Sequence, residues 1–300
     1  MTSILRRQLL CRTLSAAGVH ASAVTARAAS VGVVGVFGSV LPAAQLRAAA
    51  PKAASKAASP SGGETPPVPQ LKALPPVPEA LSLDFDVFYG DFTGRGVHVA
   101  QAVYRLSRQQ DQYRLDTEAH ATGVLAVFYS GNLLQTSTGV LGEHGFQPQR
   151  YTEKRGKRPE RQLSFDARTG RVKRLGDAAL EYPFPEGTQD RLSIFFQLGL
   201  LARGHKAVSK PGQRFILPLA GMKRIDEPHF HVISQEPLRT KAGCFEALHI
   251  AVSKPGDPEA PKFDVWLAPA LNMMPVRIRV VEGKDNRVID QVLKKRPAGV

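Results

Sequence analysis

The sequence predicts a mainly β protein: an antiparallel curved sheet, a half-barrel or open barrel, that wraps one apolar helix. Apolar and polar residues alternate along many short segments, as they do in antiparallel strands with one buried face. Turn residues separate these segments, and only one stretch of any length has a clear helical period. Many strands and one helix that is apolar nearly all round favour a sheet that curves around the helix.

The strand pattern is clearest in residues 113–121. Tyr113, Leu115 and Thr117 fall on one face, and the intervening Arg114 and Asp116 fall on the other. We count roughly 11 to 13 such segments, each about 6–10 residues long, which is an ordinary length for a strand.

The predicted helix covers residues 190–203. Asp190 stands at its start, apolar residues surround most of its circumference, and Arg203-Gly204 ends it. Because Asp190 and Ser193 stand three apart at a helix start, we expect their side chains to satisfy free backbone N–H groups there. The chain contains no Gly-x-Ser-x-Gly motif, which disfavours Ser193 as a nucleophile. A second, shorter helix is predicted over Gly123–Ser130.

The first 50 residues are typical of an export signal. No acidic residue precedes Glu64, four arginines precede an uncharged stretch over 28–46, and a run of alanines ends at Ala50. We predict a cleaved signal peptide over residues 1–50, of the Sec type or, through Arg6-Arg7, of the twin-arginine type. The protein is then periplasmic; the alternative is an uncleaved N-terminal anchor in the inner membrane.

Residues 51–80 are rich in proline and alanine and have no periodic apolar pattern, so we predict a disordered linker there. Residues 81–300 then form a single β half-barrel domain, long enough for one well-buried core.

Several landmarks occur in order along residues 81–295. They are Tyr113, Gly123, Ser137-Thr138-Gly139, Gly145-Phe146-Gln147-Pro148, Tyr151, Phe165-Asp166, Asp190-Arg191-Leu192-Ser193, Gly243, Trp266-Leu267-Ala268 and Pro275-Val276-Arg277-Ile278. In this order of landmarks the chain resembles the bacterial envelope family called domain of unknown function 3108. The resemblance implies an antiparallel half-barrel in the periplasm of a Gram-negative bacterium, and it implies no catalytic residue, since the family has no established activity.

The net charge of +14 is unevenly distributed. Residues 150–174 hold ten Lys or Arg and three acids, and the rest of the predicted domain is close to neutral. This stretch is either a solvated polar hairpin or a contact for anionic lipid head groups. The candidate contacts are Arg150, Lys154, Arg155, Lys157, Arg158 and Arg161.

Apolar residues of the predicted helix are candidates for the lining of a ligand cavity. We select Leu192, Phe195 and Phe196, together with Trp266, the single tryptophan. If Phe263, Val265 and Leu267 fill the core, Trp266 lies on the other surface of the sheet; if the strand is buried on both sides, it packs.

No cofactor or metal is predicted. His229 and His231 share one face of a strand, but the sequence nominates no third ligand, so we expect solvent-facing histidines. The leading hypothesis is a non-enzymatic, monomeric periplasmic carrier of an apolar or lipid-like ligand, with its basic hairpins on an anionic surface or an envelope protein. The alternatives are an envelope scaffold with a self-filled half-barrel and, third, a hydrolase; no nucleic-acid partner is expected.

Overall fold

Alternating apolar residues produce strands along most of the chain. The computed structural model describes residues 66–123, 132–176, 179–256, 260–282 and 286–298. Its strands are β1 (Ala80–Tyr89), β2 (Val97–Gln109), β3 (Gln112–Ala121), β4 (Leu133–Gly142), β5 (Gly145–Arg155), β6 (Arg161–Asp166), β7 (Arg171–Leu175), β8 (Leu180–Pro183), β9 (Arg214–Ile216), β10 (Leu219–Ala220), β11 (Ile225–Asp226), β12 (His229–Thr240), β13 (Gly243–Ser253), β14 (Lys262–Ala268), β15 (Met274–Glu282) and β16 (Arg287–Leu293). The helices are α1 (Ser193–Gly204) and α2 (Lys206–Ser209).

Fourteen of these strands form one antiparallel sheet. Their order is β8-β7-β6-β5-β4-β3-β2-β1-β16-β15-β14-β13-β12-β9, so nearly all neighbours in space are neighbours in sequence. The edge strands β8 and β9 do not pair with each other, and the sheet is not closed into a barrel. The predicted fold class is confirmed.

Side chains alternate between the two faces of the sheet along each strand, so the sheet has an inner face, toward α1, and an outer face. Leu83, Phe85 and Val87 of β1 are buried on the inner face, as are Val276, Ile278 and Val280 of β15.

We call the end with the β1–β2, β5–β6 and β7–β8 connections the upper end, and the end with the β2–β3, β4–β5 and β6–β7 connections the lower end.

The α1 helix fills the curve of the sheet. The ring of Phe195 contacts Tyr104 on β2 and Phe263 on β14, and Phe196 contacts Phe146 on β5. Because β5 and β14 are seven places apart in the strand order, one helix can touch both only if the sheet bends around it. The helix predicted over 190–203 is confirmed; most of the one predicted at Gly123–Ser130 lies outside the described residues.

The helix lies very close to the β14–β15 connection. A Cβ atom on Gly199 would stand 2.8 Å from the carbonyl oxygen of Met273, nearer than real Cβ contacts allow. Only glycine therefore permits this approach, and the sheet and helix meet there without intervening space. No helix in the described part of the chain is both long enough and apolar enough to span a membrane.

A short hairpin, β10–β11, covers the inner face beside β7 and β8. The hydroxyl of Tyr182 donates a hydrogen bond to the carbonyl of Gly221, and Arg174 Nη1 donates to the carbonyl of Met222 at 3.3 Å. The hairpin thus lies over the inner face near the sheet edge that β8 leaves open.

The last part of the predicted linker is not a free tether. Within residues 66–79, Leu71 is 2% exposed and its carbonyl oxygen lies 3.1 Å from His144 Nδ1. Arg203 at the end of α1 donates to the carbonyl of Pro76 at 2.8 Å. The folded region therefore includes Leu71 and Pro76 and begins before residue 81, because isolated apolar residues in a proline-rich segment can dock without forming a periodic pattern.

Replacing Leu71 tests whether this segment is part of the fold. Leu71→Ala should lower the free energy of unfolding by about 2–4 kcal/mol, because it empties a buried site. Leu74→Ala in the same segment is the matched control, since Leu74 is 37% exposed and should cost at most about 0.5 kcal/mol. Denaturant unfolding of both variants gives the comparison, and equal, small effects would show that the segment is not docked.

Candidate functional site

A buried carboxylate joins α1 to the inner face of the sheet. Asp190 Oδ2 accepts a hydrogen bond of 2.5 Å from the hydroxyl of Ser137 on β4, and the hydroxyl of Tyr113 on β3 lies 3.1 Å from the same Ser137 oxygen. Asp190 Oδ1 accepts from the backbone N–H groups of Leu192 and Ser193 at 2.8 and 2.9 Å. We call Tyr113, Ser137, Asp190 and Ser193 the Asp190 cluster.

The expected capping role of Asp190 and Ser193 is confirmed. While the carboxylate accepts from the N–H of Ser193, the hydroxyl of Ser193 accepts from the N–H of Asp190 at 3.0 Å. This reciprocal pair satisfies donors that the first turn of a helix leaves free. The bond to Ser137 adds a tertiary contact that links the start of the helix to the middle of β4.

Burial raises the pKa of Asp190 to about 6, although the hydrogen bonds from Ser137, Ser193 and Leu192 oppose the rise. Burial and the negative charge of Asp190 together raise the pKa of Tyr113 well above its usual value, so this phenol stays protonated. Since Asp190, Ser137 and Ser193 are fully buried, no substrate can reach either hydroxyl without displacing α1.

A second buried carboxylate, Glu153, lies on the inner face of β5 near the upper end. Arg155 binds both of its oxygens at 3.0 Å, Arg161 on β6 forms an ion pair with Oε1, and Arg191 approaches Oε2 at 3.7 Å. Gln135 donates to the hydroxyl of Tyr151 at 2.7 Å and to Glu153 at 3.1 Å. We call Glu153, Arg155, Arg161 and Arg191 the Glu153 cluster; it carries three cations and one anion.

Burial alone would raise the pKa of Glu153, but the hydrogen bond and charge of Arg155, with the charges of Arg191 and Arg161, lower it to about 2. The carboxylate is therefore ionised throughout the physiological range. Arg191 of this cluster is adjacent to Asp190 in sequence, so the two clusters are neighbours on the inner face.

The six basic candidates do not form one exposed patch. Arg155 and Arg161 are turned inward to Glu153. The other four are exposed, and no ion pair within the described residues includes them. We call these four, Arg150, Lys154, Lys157 and Arg158, the free cations.

The four cavity candidates do not lie together either. Leu192, Phe195 and Phe196 are buried on the inner side of the sheet. Trp266 projects from the opposite face of β14, because it alternates with the inner residues Val265 and Leu267. The four residues therefore cannot line one cavity. Trp266 lies on the other surface of the sheet, and it is also packed there, because this strand is buried on both sides.

Trp266 is part of a stacked ladder on the outer face. The ring of Trp266 is nearly parallel to that of His249, and the two centroids are 4.3 Å apart. On its other side, Arg277 of β15 places its Cζ atom 4.3 Å from the centroid of the Trp266 ring. The same guanidinium lies 4.6 Å from the ring of Phe92 and binds Asp290 at 2.7 Å. Both faces of the indole are occupied, so the ladder stabilises this half of the sheet and offers no open aromatic platform.

His229 and His231 stand on one side of β12 and are partly exposed. In the described part of the chain, no three His, Cys, Asp or Glu side chains are grouped closely enough to hold a metal ion.

Sequence reasoning missed Ser137, Gln135 and Glu153 as members of a network. A signal for Glu153 was present: in a strand, Tyr151 and Glu153 share a face, so a core tyrosine places this acid inward among basic neighbours. Ser137 gave no comparable signal, because its partner Asp190 is 53 residues away.

Asp190→Asn should remove one component of the pH dependence of stability. The native carboxyl keeps its proton up to about pH 6, whereas the unfolded one loses it near 3.8, so the native state binds more protons between these values. Stability from this group is therefore lost as the pH rises through that window, by on the order of 3 kcal/mol. Denaturant unfolding should show that the difference in unfolding free energy between wild type and variant becomes smaller as the pH rises from 4 to 7. A difference that stays constant over this range would contradict the raised pKa of Asp190.

Arg155→Gln and Lys157→Gln separate the structural from the free cations. Loss of Arg155 removes two hydrogen bonds to a buried carboxylate and should cost about 1–3 kcal/mol of unfolding free energy. Lys157→Gln, two residues away and exposed, should cost at most about 0.5 kcal/mol. The measurement is the denaturant midpoint at pH 7, and an equal effect of the two substitutions would contradict the assignment of Arg155 to Glu153.

Comparison with known proteins gives a family and no function. A search of curated proteins finds no match. Among solved structures, a predicted lipoprotein of Parabacteroides distasonis is 11% identical and aligns with a TM-score of 0.30 over 78% of this chain and 99% of its own. A predicted exported protein of Bacteroides fragilis with a YmcC-like fold is 12% identical, with a TM-score of 0.32 over 75% and 98%. Scores this low decide nothing about shape or activity.

The family model described as "Protein of unknown function (DUF3108)" matches residues 84–290, which span the sheet from β1 to β16, α1, and both buried clusters. Because this match covers more than two thirds of the 300 residues, the chain belongs to the DUF3108 family of proteins of unknown function.

Proposed function

We propose that this protein is an exported, non-enzymatic interaction module of the cell envelope, whose half-barrel is filled by its own residues and whose partners bind its outer surface. The observation that carries this proposal is the burial of ten consecutive residues of α1, Ser193 to Ala202. A helix buried on every side leaves none of its apolar surface for a ligand.

The rest of the inner face is also occupied by the protein itself. The Asp190 cluster fills the space at the start of α1, and the Glu153 cluster lies beyond it toward the upper end. The β10–β11 hairpin covers the region beside β7 and β8. Each of these groups is held by hydrogen bonds or ion pairs that a ligand would have to break.

A carrier of an apolar ligand is the competing function. It needs free volume beside Leu192, Phe195 and Phe196. Leu192 is fully buried, and the rings of Phe195 and Phe196 contact tyrosine and phenylalanine rings of their own sheet instead. The buried network is also polar, which favours a structural role over the dry lining of a lipid pocket.

Export rests on the leader sequence. Its arginines, uncharged segment and closing alanines are typical of a cleaved signal, which delivers the domain to the periplasm. A non-enzymatic role is supported by the burial of the Ser137 and Ser193 hydroxyls, the only ones that pair with Asp190 in the described residues.

Native mass spectrometry of the protein purified from the periplasm of its own host tests both parts of the proposal. We expect the mass of the polypeptide alone, no stoichiometric lipid in an organic extract, and an N-terminus between residues 44 and 52. One lipid per chain that survives purification would overturn the self-filled half-barrel and establish a carrier. Full-length protein recovered from the cytoplasm would overturn export.

A further inference from the structure

We propose that the outer face of β4–β7 at the upper end is a docking surface for an anionic lipid bilayer, in which cations bind head groups and leucines enter the acyl boundary. The surface consists of Leu134, Lys154, Lys157, Arg158 and Leu175. The inference rests on the proposed function, because it identifies the partner of the outer surface.

The strand register brings these residues to one place. Leu134 on β4 stands directly opposite Lys154 on β5, so their Cβ atoms are about 5 Å apart. Leu175 on β7 stands opposite Gln162 on β6, which pairs with Thr152, two residues before Lys154. Because side chains two apart share a face, Leu134, Lys154 and Leu175 all lie on the outer face, within a span of roughly 15 Å that runs across the strands from β4 to β7.

The charge of this region is strongly positive. Lys154, Lys157 and Arg158 are exposed and take part in no ion pair in the described chain, and Glu160 is the one exposed acid in the same turn. The Glu153 cluster lies beneath the turn and adds three cations and one anion. A surface that carries this excess attracts anionic lipid head groups.

The leucines distinguish a bilayer from a purely electrostatic partner. Leu134 is 42% and Leu175 45% exposed on this outer face. Single exposed leucines are ordinary, but here they stand beside unpaired cations on one face, which is the composition of interfacial membrane-binding surfaces.

The outer face of the other half of the sheet is not free to compete. Trp266, Arg277 and Asp290 are buried there by the stacked ladder, and Lys241 of the β12–β13 hairpin reaches Asp86 on β1 at 2.6 Å. The outer face of β4–β7 is therefore available for contact with a flat surface, whereas packed side chains already cover that of β14–β16.

The first test removes the cations. The variant Lys154→Gln, Lys157→Gln, Arg158→Gln is compared with Lys72→Gln, Arg168→Gln, Arg239→Gln, which removes the same charge from exposed positions elsewhere. Sedimentation uses vesicles of phosphatidylglycerol and phosphatidylcholine in equal parts, with the protein as purified from its host. We expect the first variant to bind about 100-fold more weakly and the control to bind within about threefold of wild type.

The second test removes the leucines. Leu134→Ser with Leu175→Ser is compared with Val68→Ser and Ile233→Ser, which are 46% and 42% exposed in other parts of the fold. We expect about tenfold weaker binding for the first pair and no change for the second. Wild-type binding should weaken in about 0.5 M salt but not vanish, because the apolar contact is not screened.

Equal binding by wild type and both surface variants, or equal binding to pure phosphatidylcholine vesicles, would overturn the proposal. Binding that needs the cations but not the leucines would also overturn it, because it would show a purely electrostatic contact in which no side chain enters the acyl boundary. Thermal unfolding of every variant, expected within a few degrees of wild type, excludes misfolding as the cause. If the protein does not bind vesicles, the native mass measurement still tests whether the half-barrel is filled by its own residues. Failure of the bilayer proposal can therefore be told apart from failure of the proposed function.

Discussion

The hydrogen bond from Ser137 to the buried carboxylate of Asp190 is the contact on which the inside of the molecule depends. A carboxylate deep in a protein is costly unless several donors surround it, and this one has a hydroxyl and two backbone N–H groups. These donors come from both the sheet and the helix, so they fix where α1 begins and in which direction it runs. The packing of Phe195 and Phe196 and the close approach at Gly199 follow from that position.

The same logic divides the basic residues into two populations. Glu153 faces inward, and it draws Arg155, Arg161 and Arg191 with it, because a buried acid must be paired. Lys154, which stands between Glu153 and Arg155 in sequence, faces outward and takes part in no ion pair among the described residues. A stretch that is rich in basic residues thus forms an internal ion cluster on one side of a strand and a positively charged surface on the other.

The fold was predictable because its signals are local. The alternation in Tyr113, Leu115 and Thr117 and the apolar circumference of residues 192–201 each lie within one element, and the structure confirms both. Capping by Asp190 is local as well. The bond to Ser137, the pairing of Arg155 and Arg161, and the docking of Leu71 depend on which distant residues the sheet brings near, and no periodic pattern in the sequence contains that information.

Because the inner face of the sheet is filled by the protein's own residues, a partner has only the outer face to bind. The two halves of the sheet differ in what covers that outer face. On β14–β16 the outer face is closed by the ladder of His249, Trp266 and Arg277, with Phe92 from the β1–β2 connection stacked on top. On β4–β7 nothing in the described chain covers Leu134, Lys154 or Leu175. Burial of an arginine between two aromatic rings requires desolvation that a free surface residue avoids, so one half has been built as a second packed layer. The uncovered half, with its mixture of cations and leucines, is where a partner can gain both charge pairing and apolar contact.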